Sequence, residues 1–269
     1  MKNLRFYLPI LTTLLLCCLL AALGVVTQLA HYNEFADHST FCRIPHAADV
    51  LSNLAFALVS LWGMLRLWPQ RSHPSLRAGR HGYALFLIGL LLTAVGSTYY
   101  HWAPDNLRLV WDRLPIGLTC AGLLAAVRAE NVPQATCGRD AVWLAIFAVG
   151  GVIWWHIGDR QGHGDLRPYL LLQALTLILI PMWQAIYRAP KAERAAFGCA
   201  LLLYVLAKTA ETYDHQLLAV LGFVSGHTLK HLLAACAAGV VLAYLIRRTR
   251  QPECRQAVGA RRPISWPLS

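Results

Sequence analysis

The stretch LFLIGLLLTAVGSTYYHWAPDNLRLVWD, Leu85 to Asp112, decides how the chain is read. An apolar run of helical length meets a polar turn. Ser97 and His101 stand four residues apart near the end of that run, so on a helix they share one face. Ala103-Pro104-Asp105 breaks the helix. Pro104 or Asp105 can open the next one, because proline fits the first helical turn and aspartate caps it. Asp112 then falls about two turns, ~10 Å, into the second helix. A hairpin of this kind returns Asp112 to the side of His101. Far downstream, SGHTLKHLL repeats the i, i+4 spacing with His227 and His231. Three histidines, a carboxylate and a hydroxyl, all set in apolar helices, are the candidate site.

The rest of the composition agrees with that setting. The chain has 269 residues, 57% hydrophobic and 14% charged, with mean hydropathy +0.47. Such a chain is too apolar for a soluble domain, and runs of about 20 apolar residues recur along it, so it reads as a polytopic membrane protein. A net charge of +11 would suggest nucleic acid in a soluble protein. Here most of the excess sits in short loops and the tail, where it biases membrane orientation, and a nucleic-acid partner is not expected. Eight cysteines without a CxxC pair, with Cys17, Cys18, Cys120, Cys199 and Cys236 in apolar runs, read as small packing residues rather than ligands or disulfides.

Eight spans are expected. The first, from Phe6 to about Ala30, is too long for a signal-peptide core and lacks a clear cleavage site, so it reads as retained. Residues 31–48, HYNEFADHSTFCRIPHAA, form an outer polar loop. They are either a solvated connection or a cap over the site with a second, oxygen-ligated metal. The remaining spans begin near Asp49, Gly82, Asn106, Ala141, Tyr169, Ala195 and Ser225, and a bridge, TYDHQLLAVLGF, precedes the last. Residues 248–269 form a basic tail. His156 and His163 read as loop or helix-end residues.

The loop charges orient the bundle. Lys2, Arg5, Arg66, Arg71, Arg77, Arg80, Arg128, Arg139, Arg188, Lys191, Arg194 and the tail arginines fall on one side, and only Arg43, Arg160 and Arg167 on the other. The positive-inside rule puts both termini in the cytoplasm. His101, Asp112 and His227 then share the outer leaflet side, an agreement that hydropathy alone does not demand.

Ionisable groups inside spans are costly and mark function. Two histidines at i, i+4 with a third from another helix match the three-ligand pattern of a catalytic zinc, which keeps a position for water. Asp112 could handle the proton of that water and Ser97 could donate to a developing oxyanion. Taken singly, each residue has a plainer reading: HxxxH as an ordinary polar contact, Ser97 bonded to its own backbone, Asp112 paired with Arg113. Lys208, Glu211, Asp214 and His215 cluster on the same side. They read as an interhelical polar network, with support of the metal ligands by Glu211, Asp214 and Lys230 as the alternative. Few ionisable residues occupy the inner halves of the spans, which argues against an ion or proton transporter.

At these residues the chain resembles the alkaline ceramidase family, within the wider CREST superfamily of membrane hydrolases that includes the progestin and adipoQ receptors. The resemblance rests on GSTYYH with Ser97 and His101, on Asp112 in VWDRLP, and on SGHTLKHL with His227 and His231, and it spans about Asp49 to Arg248. It implies an all-α, seven-helix membrane bundle, here with one extra N-terminal span. It also implies zinc held by His101, His227 and His231, with Ser97 and Asp112 as catalytic partners. The implied reaction is hydrolysis of a ceramide-like lipid amide to a sphingoid base and a fatty acid. Family members also hold calcium through an acidic segment before their first core helix. Here Glu34, Asp37 and Asp49 do not align as a full ligand set and His46 stands where an acid is expected, so calcium is not carried over. The basic loops and short chain suit a bacterial inner-membrane member. The rival reading is a receptor-like lipid-binding protein with a structural metal.

Overall fold

The computed structural model describes residues 2–250, and nearly all of them are helical. Positions 251–269, which hold most of the expected basic tail, lie outside the described residues; Arg248 belongs to the last helix. In chain order the elements are α1 (Lys2–Ala22), a small antiparallel hairpin of β1 (Thr40–Phe41) and β2 (Ile44–Pro45), α2 (Ala47–Ser52) and α3 (Leu54–Leu67). There follow α4 (Arg80–Trp102), α5 (Asn106–Asn131), α6 (Cys137–Asp159), α7 (Arg167–Ile186), α8 (Lys191–Thr212), α9 (Asp214–Leu221) and α10 (Gly226–Thr249). Counting α2–α3 as one, eight of these are long and apolar enough to cross a membrane. The fold is the expected helical membrane bundle.

The span borders need correction at three places. The first helix ends at Ala22, not near Ala30; Gly24 turns the chain with φ +71° and residues 23–30 run outside any helix. The second span is two helices that meet at Asn53, whose side chain donates to the Asp49 carbonyl at 3.0 Å. The bridge before the last span is itself a helix, α9, closed by Gly222 at φ +80°.

Glycine sets the closest helix contacts. A Cβ on Gly96 would stand 1.9 Å from the Trp111 carbonyl oxygen, and Gly82 and Gly122 meet the facing backbone in the same way. The backbones of α4 and α5 therefore touch, and at Gly96 this lays Ser97 against the turn of α5 that carries Asp112. A Cβ on Gly226 would lie 2.1 Å from the Ala210 carbonyl, which seats the start of α10 on α8. The core of Phe86, Leu90, Leu124, Leu179, Trp183 and Leu242 fills the middle of the bundle. The outside carries Leu54, Leu58, Leu65, Trp143 and Val205 exposed, as a lipid-facing surface requires. Cys17, Cys18, Cys199 and Cys236 also face outward and Cys120 is half-buried, so most of these thiols do not pack the core; all are free. Helix α1 packs on α7, where Thr12 approaches Met182, and no residue in its apolar window is fully buried. It stands as an addition to the side of the bundle.

The end of the bundle away from the histidines is not as poor in charge as the sequence suggested. Arg248 of α10 donates to both oxygens of Glu130 of α5, at 2.9 and 2.5 Å. Buried Glu193 of α8 accepts from Gln184 at 3.2 Å and from Tyr244 at 3.3 Å. This network ties α5, α7, α8 and α10 together.

Candidate metal centre and cavity

The three histidines converge. His101 comes from the last turn of α4, His227 and His231 from the first two turns of α10, and their ligand nitrogens all lie within 4.8 Å of one another. Their ring centroids are 4.6, 5.0 and 4.8 Å apart, and none is more than 3% exposed. His101 Nε2 and His227 Nε2 approach to 3.1 Å. Tetrahedral zinc with Zn–N bonds of about 2.0–2.1 Å needs ligand nitrogens about 3.3 Å apart. The approach is therefore of the right size, and buried imidazole nitrogens gathered without a carboxylate among them are a donor set suited to a metal. His101 Nδ1 is buried with no protein partner.

Local chemistry fixes the ring positions. Asp105 caps α5, accepting from the Arg108 amide at 2.7 Å, as its place after Pro104 predicts. Ser225 caps α10, accepting from the Thr228 amide at 2.9 Å. Asp214 accepts from the His227 amide at 2.7 Å and from the Ala36 amide at 2.9 Å, so one carboxylate clamps the start of α10 to the polar loop. Ser52 of α2 donates to the Asp49 carbonyl and lies 2.8 Å from His231 Nδ1. With its own proton committed, Ser52 accepts from Nδ1–H, and that tautomer leaves Nε2 of His231 with its lone pair free.

Loop 31–48 caps the site. Phe35 is buried and packs on His101 and His227, with ring centroids 4.6 and 4.4 Å away. Tyr100 donates to Asn33 at 2.7 Å. Both oxygens of Asp37 accept backbone amides, Ser39 at 2.9 Å and Asp49 at 3.0 Å. Burial by itself would raise the Asp37 carboxyl, but the Ser39 side chain and then these amides outweigh it and hold the group below its ordinary value. Asp49 Oδ1 accepts from Ser225 at 3.0 Å and Thr228 at 2.5 Å. The acids thus serve as backbone and side-chain acceptors. Among the described residues, the three histidines are the one group whose ligand atoms gather as a metal needs.

Ser97 and Asp112 are both buried and meet each other; the serine oxygen makes no hydrogen bond of normal geometry. Both line a cavity of about 590 Å³, together with His231 and Lys230. Its wall is mostly apolar, and it continues between the helices as far as Gln184 and Arg194. Measured along α7 from Tyr169 to Gln184, that run is about 22 Å at helical rise. Residues 26–29, which follow the first span, roof it.

The outer charge cluster divides. Lys230 donates to Glu211 at 2.8 Å and lies 3.0 Å from His227 Nε2, while Lys208 pairs with the other oxygen of Glu211. Glu211 and Lys230 thus reach the ligand set, and Asp214 reaches it through backbone. His215 turns away to the Glu34 carbonyl at 3.3 Å. Asp112 forms no ion pair with Arg113 among the described residues; the guanidinium contacts Gln28 and aromatic rings instead. His156 lies within the last turn of α6 and His163 is exposed in the following loop. Sequence reasoning gave no role to Ser52, weighed Asp49 only for calcium, and left Phe35 unplaced within a loop read as a connection or a cap. Their partners are between 66 and 192 residues away in the chain, and no spacing rule connects them. Comparisons with protein-family models, with curated proteins and with solved structures found no match to this chain.

Proposed function

We propose that the chain is a zinc-dependent intramembrane hydrolase that cleaves the amide of a ceramide-like lipid. The observation that carries this is the meeting of three groups at one place: a buried three-histidine donor set, the Ser97–Asp112 pair, and an apolar cavity long enough for an acyl chain. The order Ser97, His101, Asp112, His227, His231 supports it, because it resembles the alkaline ceramidase pattern.

Zinc held by the three imidazoles would supply a Lewis acid and lower the pKa of water to about 7. The remaining steps belong to the chain. The cavity takes the acyl tail and presents the amide at its polar end. Asp112 removes the proton from the attacking water and returns it to the leaving amine. Ser97 donates to the carbonyl oxygen as charge develops there. Phe35 and the roof exclude bulk water, which strengthens these interactions. The loop charges support a cytoplasmic location of both termini, with the site toward the outer leaflet, in a bacterial inner membrane.

The second reading, a receptor-like lipid-binding protein with a structural metal, draws on Lys230. Its ammonium presses on His227 Nε2 and brings a cation to the donor set. One experiment separates the two. Metal analysis of purified protein should find about one zinc per chain, and a lipid-amide panel should show fatty-acid release. Asp112→Asn should keep the zinc, because the imidazoles remain, and lose roughly 10²-fold or more in turnover. Normal zinc with no release from any amide would favour the receptor. Unchanged turnover in Asp112→Asn would remove Asp112 from the mechanism.

A further inference from the structure

Arg113 is the buried charge that the proposed reaction leaves unused. It follows Asp112 on α5, is 4% exposed, and lines the same cavity as Ser97, Asp112 and His231. Its guanidinium stacks on Trp155, 4.1 Å from the ring centroid, with Tyr32 at 5.3 Å and Tyr169 at 5.6 Å. One terminal nitrogen donates to Gln28 of the roof. The other, Nη1, is buried and has no partner. No carboxylate forms an ion pair with it among the described residues.

That arrangement is costly for a purely structural arginine. Guanidinium stays charged at any physiological pH, and removing it from water costs several kcal/mol unless the charge and its N–H groups are met. Three ring faces and one amide oxygen meet only part of that need. The aromatic box holds the fork still, and the unpartnered Nη1 suits an oxygen of a carboxylate or phosphate. The charges at this end of the cavity favour the same ligand, since Arg113, Lys208 and Lys230 face only Asp112 and Glu211.

We propose that Arg113 is the anion subsite of this cavity, and that its ligand is a single-chain amphiphile with a carboxylate or phosphate oxyanion at its head. The tail follows the apolar run, and the oxyanion accepts from Nη1 of Arg113. Because Arg113 lines the same cavity as Asp112 and Ser97, an amide next to the head group would arrive at its polar end. An N-acyl amino acid is the simplest molecule with that layout. This shifts the substrate of the proposed hydrolase from a neutral ceramide-like lipid to an anionic lipid amide and rests on that reading only for the cleavage; the binding site stands without it.

The test measures binding, on the full-length protein in neutral detergent. N-palmitoylglycine is compared with its methyl ester, which keeps chain and amide but loses the charge, and lysophosphatidic acid with monopalmitin. Wild type should bind each acid about ten- to a hundredfold tighter than its neutral partner, the size of a charge-assisted hydrogen bond. Arg113→Gln should bring the ratio to within about twofold while neutral ligands bind as before. Arg113→Lys should restore part of it, because charge returns without the fork. A preference shown by the carboxylate alone or by the phosphate alone assigns the head group. Equal binding of acid and neutral ligand by wild type overturns the site, even if Arg113→Gln does not fold. So does a preference that survives intact in Arg113→Gln. Full displacement of N-palmitoylglycine by inorganic phosphate at equal concentration would overturn the lipid assignment in favour of a free anion. Tight binding without fatty-acid release would instead sink the hydrolase and leave the subsite.

Discussion

Ser52 shows how a single hydroxyl can govern a metal centre from outside it. It reaches His231 Nδ1 at 2.8 Å and anchors to the Asp49 carbonyl at the same distance. Partners of this kind hold a ligating ring in one tautomer and one orientation, and losing them typically costs 10–100-fold in metal affinity. Ser52→Ala should therefore weaken zinc binding by roughly that factor while the helical circular dichroism stays unchanged, as a competition titration against a chromophoric chelator would show. Unaltered affinity would mean that packing against Phe56 alone orients the ring. The histidines themselves were legible because i, i+4 spacing inside an apolar span is a local signal. Ser52 was not, since a serine in a membrane helix usually bonds its own backbone, and its partner lies 179 residues on. Asp112 was legible as a costly charge, and an ion pair with Arg113 was the plainer of its two readings; no such pair forms among the described residues. The sequence sets it beside Arg113, whereas consecutive residues on a helix point apart, and the fold gives Asp112 to Ser97 and Arg113 to the aromatic box.

Among the elements, the α4–α5 hairpin does most to assemble the site. Its turn was readable from Ala103-Pro104-Asp105, yet the turn alone does not fix how closely the helices approach. That is set at Gly96, where a side chain would meet backbone at 1.9 Å. Gly96→Ala must push the helices apart or shift one along the other, moving Ser97 and His101 relative to Asp112. The expected cost is about 1–3 kcal/mol, seen as a lower midpoint of thermal unfolding, together with loss of turnover. Gly198→Ala is the control, because a Cβ there meets nothing within 4 Å. A Gly96→Ala protein as stable and active as that control would show that the contact is dispensable.

The cap is a second element that the sequence left open. Phe35 could not be placed over the histidines from local pattern, because the loop has no periodicity. Asp37 helps to hold it on the bundle; burial would raise this carboxyl, but the Ser39 side chain, followed by the amides of Asp49 and Ser39, holds it below its ordinary value. A lowered folded value means that the stabilisation is complete above the unfolded value of about 4 and fades as pH falls through the folded one. Amide exchange at Ser39 and Asp49, corrected for intrinsic rates, should hence be slow at pH 5–7 and accelerate toward about pH 3 or below. Asp37→Asn should exchange faster at neutral pH and lose that pH dependence. If both proteins respond alike, another group closes the cap.

Over the whole molecule, span number and loop charge were the strongest signals, because the bilayer demands long apolar helices whatever their packing. The cavity had no such signal. It is lined by residues from six helices and the roof, chosen by how the bundle closes. The roof also gives the first span a part in the site: residues 26–29 cover the cavity, and the Leu166 amide donates to the Val26 carbonyl at 2.8 Å, joining them to α7. Eight spans return the chain to its starting side, and the histidines gather at the opposite end. The basic loops flank the ends of α1, α3, α4, α5, α6, α7 and α8 that lie away from the histidines, so positive-inside insertion carries the site outward. Reporter fusions after Arg77 and after Arg250 should accordingly read cytoplasmic, and one between Gly158 and Asp165 should read external. An impermeant thiol reagent gives an independent check, because Cys42 is exposed in the cap and should react from outside in intact cells. A cytoplasmic signal from the 158–165 fusion, or protection of Cys42 until the cells are lysed, would invert the bundle. The cavity would then open toward the cytoplasm, and any lipid it takes would come from the inner leaflet.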